Sequence, residues 1–318
     1  MSELQNATSI RRASWRDFVH LVRVRQWAKN VLLFAGFIFA GRLREAGPHL
    51  AIEAAQVVCA FLCFCALSGA AYIINDWADI ERDRLHPIKR NRPLAAGVLS
   101  TRTAGVVIAV LLVIAAACTI FITRFNAQSW GFTVAASSYF VLTLAYSFFL
   151  KHEVIVDVLC IAVGFVLRVV AGCLAIPVSI SPWIVFCTFS LALFIALCKR
   201  RSELGEIEDG STRGVLLHYS REMLDILIAV ASGLTIIGYS FYTFLASHAD
   251  ALGTSKGSTP VLMATIPFVI YGVFRYLFLA VSSPVGGEPE RMLRDVRLMS
   301  AIALWIAMIV MLTLLAKI

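Results

Sequence analysis

The chain has 318 residues, of which 59% are hydrophobic, and a mean hydropathy of +0.82. That is too apolar for a water-soluble domain, and runs of ~20 apolar residues, enough to cross a bilayer, recur along its length. A net charge of +8 would suit nucleic acid, but Lys and Arg sit in short segments between the apolar runs, where they record membrane orientation instead.

Residues 1–20 are polar and carry Arg11, Arg12 and Arg16. They read as a tail leading into a short interfacial helix, without the apolar core or cleavage site of a removable signal peptide. Arg23, Arg25, Trp27 and Lys29 follow, the mixture of tryptophan and cations expected where a helix meets the membrane surface. An alternative stays open at this point: Arg25, Lys29 and Asn30 could hold a phosphate.

The first span is expected at about 30–41 and the second at about 52–74. Further spans are expected at about 104–123, 131–150, 154–175, 182–199, 223–246, 260–281 and 297–316. The expectation is therefore an all-α, polytopic membrane protein with nine transmembrane helices, a single domain from 21 to 318 behind the polar tail. Cations concentrate in the tail and in the segments after the second, sixth and eighth spans. That bias places the N-terminus and these loops in the cytoplasm and the C-terminus outside. The eight cysteines lie inside apolar runs, with no C-x-x-C pair and no histidine at zinc spacing, and read as small core residues.

The second span runs without a breaker into Asn75–Gly97, a dense stretch of charge. On a helix Asp76, Asp79 and Asp83 fall at roughly 0°, 300° and 340°, so three carboxylates share one face. Such a cluster suits Mg²⁺, which takes one or two carboxylates and completes its shell with water and substrate phosphate. Lys89, Arg90 and Arg92 come next, and cations beside carboxylates favour a metal-diphosphate over a bare metal. A solvated loop of internal salt bridges is the competing reading, since Glu81, Arg82 and Arg84 are interleaved.

Two later stretches carry charge into the apolar spans. Lys151 and His152 occupy a tight turn, after which Asp157 and Arg168 enter a span, and ionisable residues inside a membrane call for partners. Eleven residues, ~16 Å of helix, separate those two, so each needs a partner elsewhere. After the sixth span, Lys199, Arg200 and Glu203 share a helical neighbourhood and could grip an anionic ligand. Arg275, with Tyr271 and Tyr276 nearby, reads as structural.

The motif N-D-x-x-D-x-x-x-D at Asn75, Asp76, Asp79 and Asp83, closing the second of nine spans, resembles the UbiA superfamily of intramembrane prenyltransferases. H-P-x-K-R-x-R-P-x-A-A-G (His86 to Gly97), Y-S-x-x-L-K-H (Tyr146 to His152), G-F-x-L-R (Gly164 to Arg168) and K-R-x-x-E-L (Lys199 to Leu204) resemble one branch of it, the decaprenyl-phosphate phosphoribosyltransferases. The resemblance implies a bundle of nine helices around a central cavity, open laterally to lipid and capped by the loops after the second and sixth spans. It also implies a multi-pass enzyme of the inner (plasma) membrane that uses Mg²⁺ and takes 5-phosphoribosyl 1-diphosphate and a polyprenyl phosphate, in a pathway to cell-envelope glycans.

Within that likeness, Asp76, Asp79 and Asp83 are implied as metal ligands and, with Lys199, as catalytic. Lys29, Asn75, Lys89, Arg90, Arg92, Tyr146, Lys151, Asp157, Arg168, Arg200 and Glu203 are implied in substrate binding. Prenyl-transferring members usually carry a second aspartate-rich motif in the sixth loop. Here Lys199, Arg200, Arg201 and Glu203 stand there, with Glu206 and Asp209 beyond. The departure counts against the alternative reading, prenyl transfer from an isoprenoid diphosphate to an aromatic acceptor. A transporter or channel is disfavoured because the ionisable residues gather on one side instead of forming a path across.

Overall fold

In the computed structural model the described residues are 13–39, 48–87, 89–126, 129–205, 216, 218–249, 261–282, 292 and 294–315. Among them the regular structure is entirely helical. The chain divides into two compact units, residues 1–149 with 167–180, and residues 150–166 with 181–318.

The first unit opens with α1 (Trp15–Val22), a 3₁₀ segment (Val24–Phe34) and α2 (Ala35–Phe39). It continues through α3 (Pro48–Ala78), α4 (Ile80–Leu85), α5 (Thr101–Phe125) and α6 (Ser129–Phe148), and takes in the C-terminal part of α7 (Val156–Ala175). Pro48 stands at the first helical position of α3, where its missing N–H is no loss. Ser100 caps α5, its hydroxyl accepting from the Thr103 amide at 3.0 Å.

The helix α3 is apolar on every side and is the most enclosed of the long helices. It packs against α1, the 3₁₀ segment, α5 and α6. Phe64, Phe132, Tyr139 and Leu33 lie at the centre of that packing. Gly172 on α7 permits the closest approach, since a Cβ there would collide with the Leu33 carbonyl. Hydroxyls within the helices bond back to preceding carbonyls, as Ser68 does to Phe64 at 2.7 Å and Thr143 to Tyr139 at 2.7 Å. That satisfies them where no water is available.

The second unit contains the N-terminal part of α7, α8 (Pro182–Gly205), α9 (Arg221–Ala249), α10 (Ile266–Ser282) and α11 (Val296–Leu315). Its core gathers Val158, Phe194, Leu197, Leu224, Ile228 and Tyr276. Near Thr265 a polar knot survives in apolar surroundings, the Tyr239 hydroxyl meeting Thr265 at 2.7 Å and accepting from Trp305 Nε1 at 2.8 Å.

Among the described residues seven helices are long and apolar enough to cross a membrane, and they coincide with the second to eighth expected spans. The protein is a multi-pass membrane protein. For the ninth span the structure has α11, apolar over Val296–Leu312. The expected first span differs: its described part is the end of the 3₁₀ segment and the five-residue α2, not one continuous helix. Residues 40–47 lie outside the description.

Candidate active site

The aspartate stretch forms where α3 leaves its apolar surroundings. Sequence spacing predicts one unbroken helix to Pro87; the structure instead breaks it at Asp79, whose φ of −95° and ψ of 7° stop α3 at Ala78 before α4 begins. Hydrogen bonds from Asp79 N to Asn75 O (3.0 Å) and from Asp83 N to Asp79 O (2.8 Å) nevertheless carry the helical register through the break. Asp76 and Asp83, seven residues apart, therefore remain on one side.

Both carboxylates converge on Arg92. Its Nη1 donates to Asp76 Oδ1 at 3.0 Å and to Asp83 Oδ2 at 2.6 Å. The backbone brings Arg92 back over the helix end: a 3₁₀ turn at Lys89–Asn91 is followed by a turn closed from Gly97 N to Leu94 O, with Gly97 at φ +71°, where a glycine fits without strain. A second guanidinium arrives from Arg23, in left-handed conformation at the end of α1 (φ 55°). Its Nη2 donates to Asp76 Oδ1 at 2.6 Å, and its guanidinium carbon lies 4.8 Å from the Tyr72 ring centroid. The Asn75 side chain is a further partner of Asp76.

Asp76 and Asp83 are buried, and two carboxylates withdrawn from water need this neutralisation. Asp79 is placed differently, more exposed and 4.0 Å from Arg82. Lys89 is half-buried and Arg90 exposed on the same turn. Sequence reading placed Arg23 only at the membrane interface; its pairing with Asp76 crosses fifty-three positions, and no local spacing announces it.

Among the described residues no three Asp, Glu, His or Cys side chains are grouped closely enough to share a metal ion. The donor set still fits one divalent cation bound through two carboxylates. Oxygens of Asp76 and Asp83 already lie within 3.0 Å of one cationic nitrogen, Arg92 Nη1. A small hard cation taking carboxylate, water and phosphate oxygens could replace that nitrogen once Arg92 turns to another anion.

Deeper in the same unit Arg168 is buried on α7. Its Nε donates to Asn30 Oδ1 at 2.8 Å and its Nη2 to the Tyr139 hydroxyl at 2.8 Å, with the guanidinium also over the Tyr139 ring. Asn30 Nδ2 in turn donates to Cys65 Sγ at 3.3 Å. Tyr146 lies two helical turns past Tyr139 on the same face of α6. Lys29, next to Asn30, is exposed.

In the second unit a separate cluster surrounds Asp157 at the start of α7. Arg200, almost wholly buried near the end of α8, donates from Nε to Asp157 Oδ2 at 2.6 Å and from Nη1 to Glu203 Oε2 at 2.5 Å. The other oxygen of Glu203 faces Lys199 Nζ at 3.9 Å, and Lys199 is the more exposed of the two cations. Lys151 is half-buried in the 3₁₀ turn Leu150–His152. Glu206 and Asp209 lie outside the described residues.

Tyr219, which sequence reading did not single out, completes this cluster. Its hydroxyl donates to Asp157 Oδ1 at 2.8 Å and accepts from the Ile155 amide at 2.7 Å. Burial and the Asp157 carboxylate both push the phenol well above its ordinary pKa, so it stays the donor. Ile155 has φ 68°, a strained conformation for a β-branched residue that the Tyr219 contact helps to hold.

Arg275 finds neither Tyr271 nor Tyr276 as its main partner. It forms a two-pronged pair with Asp295, Nε to Oδ1 at 3.1 Å and Nη2 to Oδ2 at 2.7 Å. The guanidinium and the Leu298 amide hold the Asp295 carboxyl down at about 2.

The family profile described as UbiA prenyltransferase family matches residues 32–286. Decaprenyl-phosphate phosphoribosyltransferase of Mycolicibacterium smegmatis is 30% identical, over 92% of this chain and 90% of its own. The protein of the same name from Corynebacterium glutamicum is 30% identical, over 92% and 85%. A UbiA homolog from Archaeoglobus fulgidus, solved bound to GPP and Mg²⁺, shares the fold, with a TM-score of 0.67 at 20% identity over 92% of this chain and 97% of that one.

Proposed function

The chain belongs to the UbiA prenyltransferase family, and from that premise we propose that it transfers 5-phosphoribosyl from 5-phosphoribosyl 1-diphosphate to a polyprenyl phosphate. The products are polyprenylphosphoryl 5-phosphoribose and diphosphate. One observation carries the choice of reaction: relatives named for this transfer match nearly the full length of the chain. The cationic end of α8, with Lys199 and Arg200 where prenyl-transferring relatives are expected to have acids, supports it.

An oxygen of the acceptor phosphate forms a bond to C1 of the ribose. The bond from C1 to the diphosphate oxygen breaks, and its electron pair leaves with the diphosphate. The acceptor is already an anion at neutral pH, so no strong base is required, and rate enhancement comes from positioning and from neutralising charge. Mg²⁺ held by Asp76 and Asp83, with Asp79 and Asn75 beside them, would supply neutralisation of the departing diphosphate.

Arg92, with Arg90 and Lys89 on the same turn, exchanges carboxylate for donor phosphate. Arg23 keeps Asp76 neutralised and in place. Lys199 binds a phosphate group and Glu203 aims it; Lys29, Lys151 and Tyr146 are taken as further substrate contacts. Arg200 and Asp157 hold the end of α8 against the start of α7, and Arg168 ties α7 to Asn30 and α6. The protein is read as crossing the plasma membrane nine times, with its N-terminus and these loops cytoplasmic, where phosphorylated sugars are made.

The test offers purified protein each donor with its own acceptor. Transfer from 5-phosphoribosyl 1-diphosphate to a polyprenyl phosphate, with none from a prenyl diphosphate to an aromatic acid, is the expected result. The reverse preference would return the chain to prenyl transfer.

A further inference from the structure

Among the described residues, α1 presents one apolar stripe that no other element covers. Its packed face is formed by Asp17 and Leu21, with Leu21 set among Ile73, Leu94, Leu99 and Ala104. About 130° around the helix from that face, Trp15, Phe18 and Val19 are exposed, Trp15 to 70%. Beside this stripe Arg16 and His20 are exposed as well. The one acid of α1, Asp17, is on the packed face, its Oδ2 accepting from the Ser14 amide at 2.8 Å.

A cavity of about 400 Å³ opens along this edge, bordered by Trp15, Arg16, His20, Arg23 and Arg25. The Arg16 guanidinium lies 5.9 Å from the Trp15 ring centroid, so an aromatic wall and a cationic wall meet there. Arg23 is the same residue that reaches Asp76.

We propose that this edge of α1 binds the headgroup phosphate of an anionic phospholipid, with Trp15, Phe18 and Val19 against the lipid's upper acyl chains. The cations supply charge complementarity to the phosphate. The adjoining apolar stripe selects a lipid over a free anion, because a free anion offers nothing to cover it. A helix with separate apolar and basic faces and a tryptophan on the apolar one lies in the plane of a bilayer surface. The site is distinct from the aspartate cluster and shares Arg23 with it.

The test uses the full chain in detergent and native mass spectrometry with dioleoylphosphatidylglycerol, dioleoylphosphatidylcholine or inorganic phosphate. Arg16→Gln/His20→Gln should bind phosphatidylglycerol about tenfold more weakly, with phosphatidylcholine adducts unchanged. Arg221→Gln, an exposed cation on α9, should bind as the wild type does. Trp15→Ser/Phe18→Ser should weaken the same phosphatidylglycerol adduct. If Arg16→Gln/His20→Gln fails to fold, Arg25→Gln carries the same measurement. Equal phosphatidylglycerol binding by wild type and cation variant overturns the proposal. So does displacement of the lipid by inorganic phosphate at a similar concentration, which would make the cavity a free-anion site.

Discussion

Arg200 sits on Asp157 with a 2.6 Å hydrogen bond between two side chains that are almost completely withdrawn from solvent, at 1% and 0% exposure. A buried pair of this kind is costly to break from one side, because the remaining charge is stranded. Asp157→Asn or Arg200→Gln should each destabilise the protein by about 3–5 kcal/mol. Asp157→Leu combined with Arg200→Met should recover much of that loss. Thermal unfolding of the three variants in one detergent checks the ordering, and a double variant no better than either single would contradict it.

Arg92 stands between Asp76 and Asp83, where the two carboxylates would meet a divalent cation. Arg92→Gln removes the competing charge, so Mn²⁺ should bind the protein several-fold more tightly in the absence of diphosphate substrate. Phosphoribosyl transfer should fall at the same time, since the guanidinium is then missing from the donor phosphates. Titration of Mn²⁺ by electron paramagnetic resonance reads the first effect without reference to turnover. Weaker Mn²⁺ binding by the variant would mean that Arg92 supports the carboxylates and does not compete at them.

Lys199 is the more exposed partner of Glu203 and the cation on α8 best placed to meet a ligand. Lys199→Ala should raise KM for one phosphorylated substrate about tenfold or more, because an ion–phosphate contact is lost, with little change in unfolding temperature. Steady-state kinetics with each substrate varied in turn identifies which phosphate it meets. Unchanged constants for both would confine Lys199 to its pairing with Glu203.

Asp295 gives a pH dependence with a defined sign. Its carboxyl is lowered to about 2 in the folded protein by Arg275 and the Leu298 amide, against an ordinary value of about 3.9 when unfolded. The pair's contribution is therefore complete above about pH 4 and is lost as pH falls through about 2. Wild type should lose unfolding temperature across that window more steeply than Asp295→Asn. Parallel curves would show that the pair contributes nothing to the folded state.

The membrane helices were legible because an apolar run of about twenty residues has few alternatives to a spanning helix. The first expected span was the exception: Val31–Phe39 is as apolar as the others, and hydropathy alone does not distinguish a 3₁₀ segment and a five-residue helix from an α-helix. Asp76 and Asp83 were readable as neighbours because a seven-residue spacing survives the break at Asp79. The partners arriving from elsewhere were not. Arg23, Tyr219 and Asp295 join their sites through tertiary packing across long stretches of chain, and a basic residue beside a tryptophan looks the same whether it anchors in lipid or reaches a carboxylate.

If the bond broken joins ribose C1 to diphosphate, the fate of a label on each side of that bond reveals it. Purified protein is given Mg²⁺, a polyprenyl phosphate, and 5-phosphoribosyl 1-diphosphate labelled with ³²P either at the 5-phosphate or at the terminal phosphate of the diphosphate. The 5-phosphate label should enter the organic phase while terminal label stays in water as diphosphate, and Asp83→Asn should abolish the transfer. Terminal label in the lipid, or no label there from either donor, would contradict it.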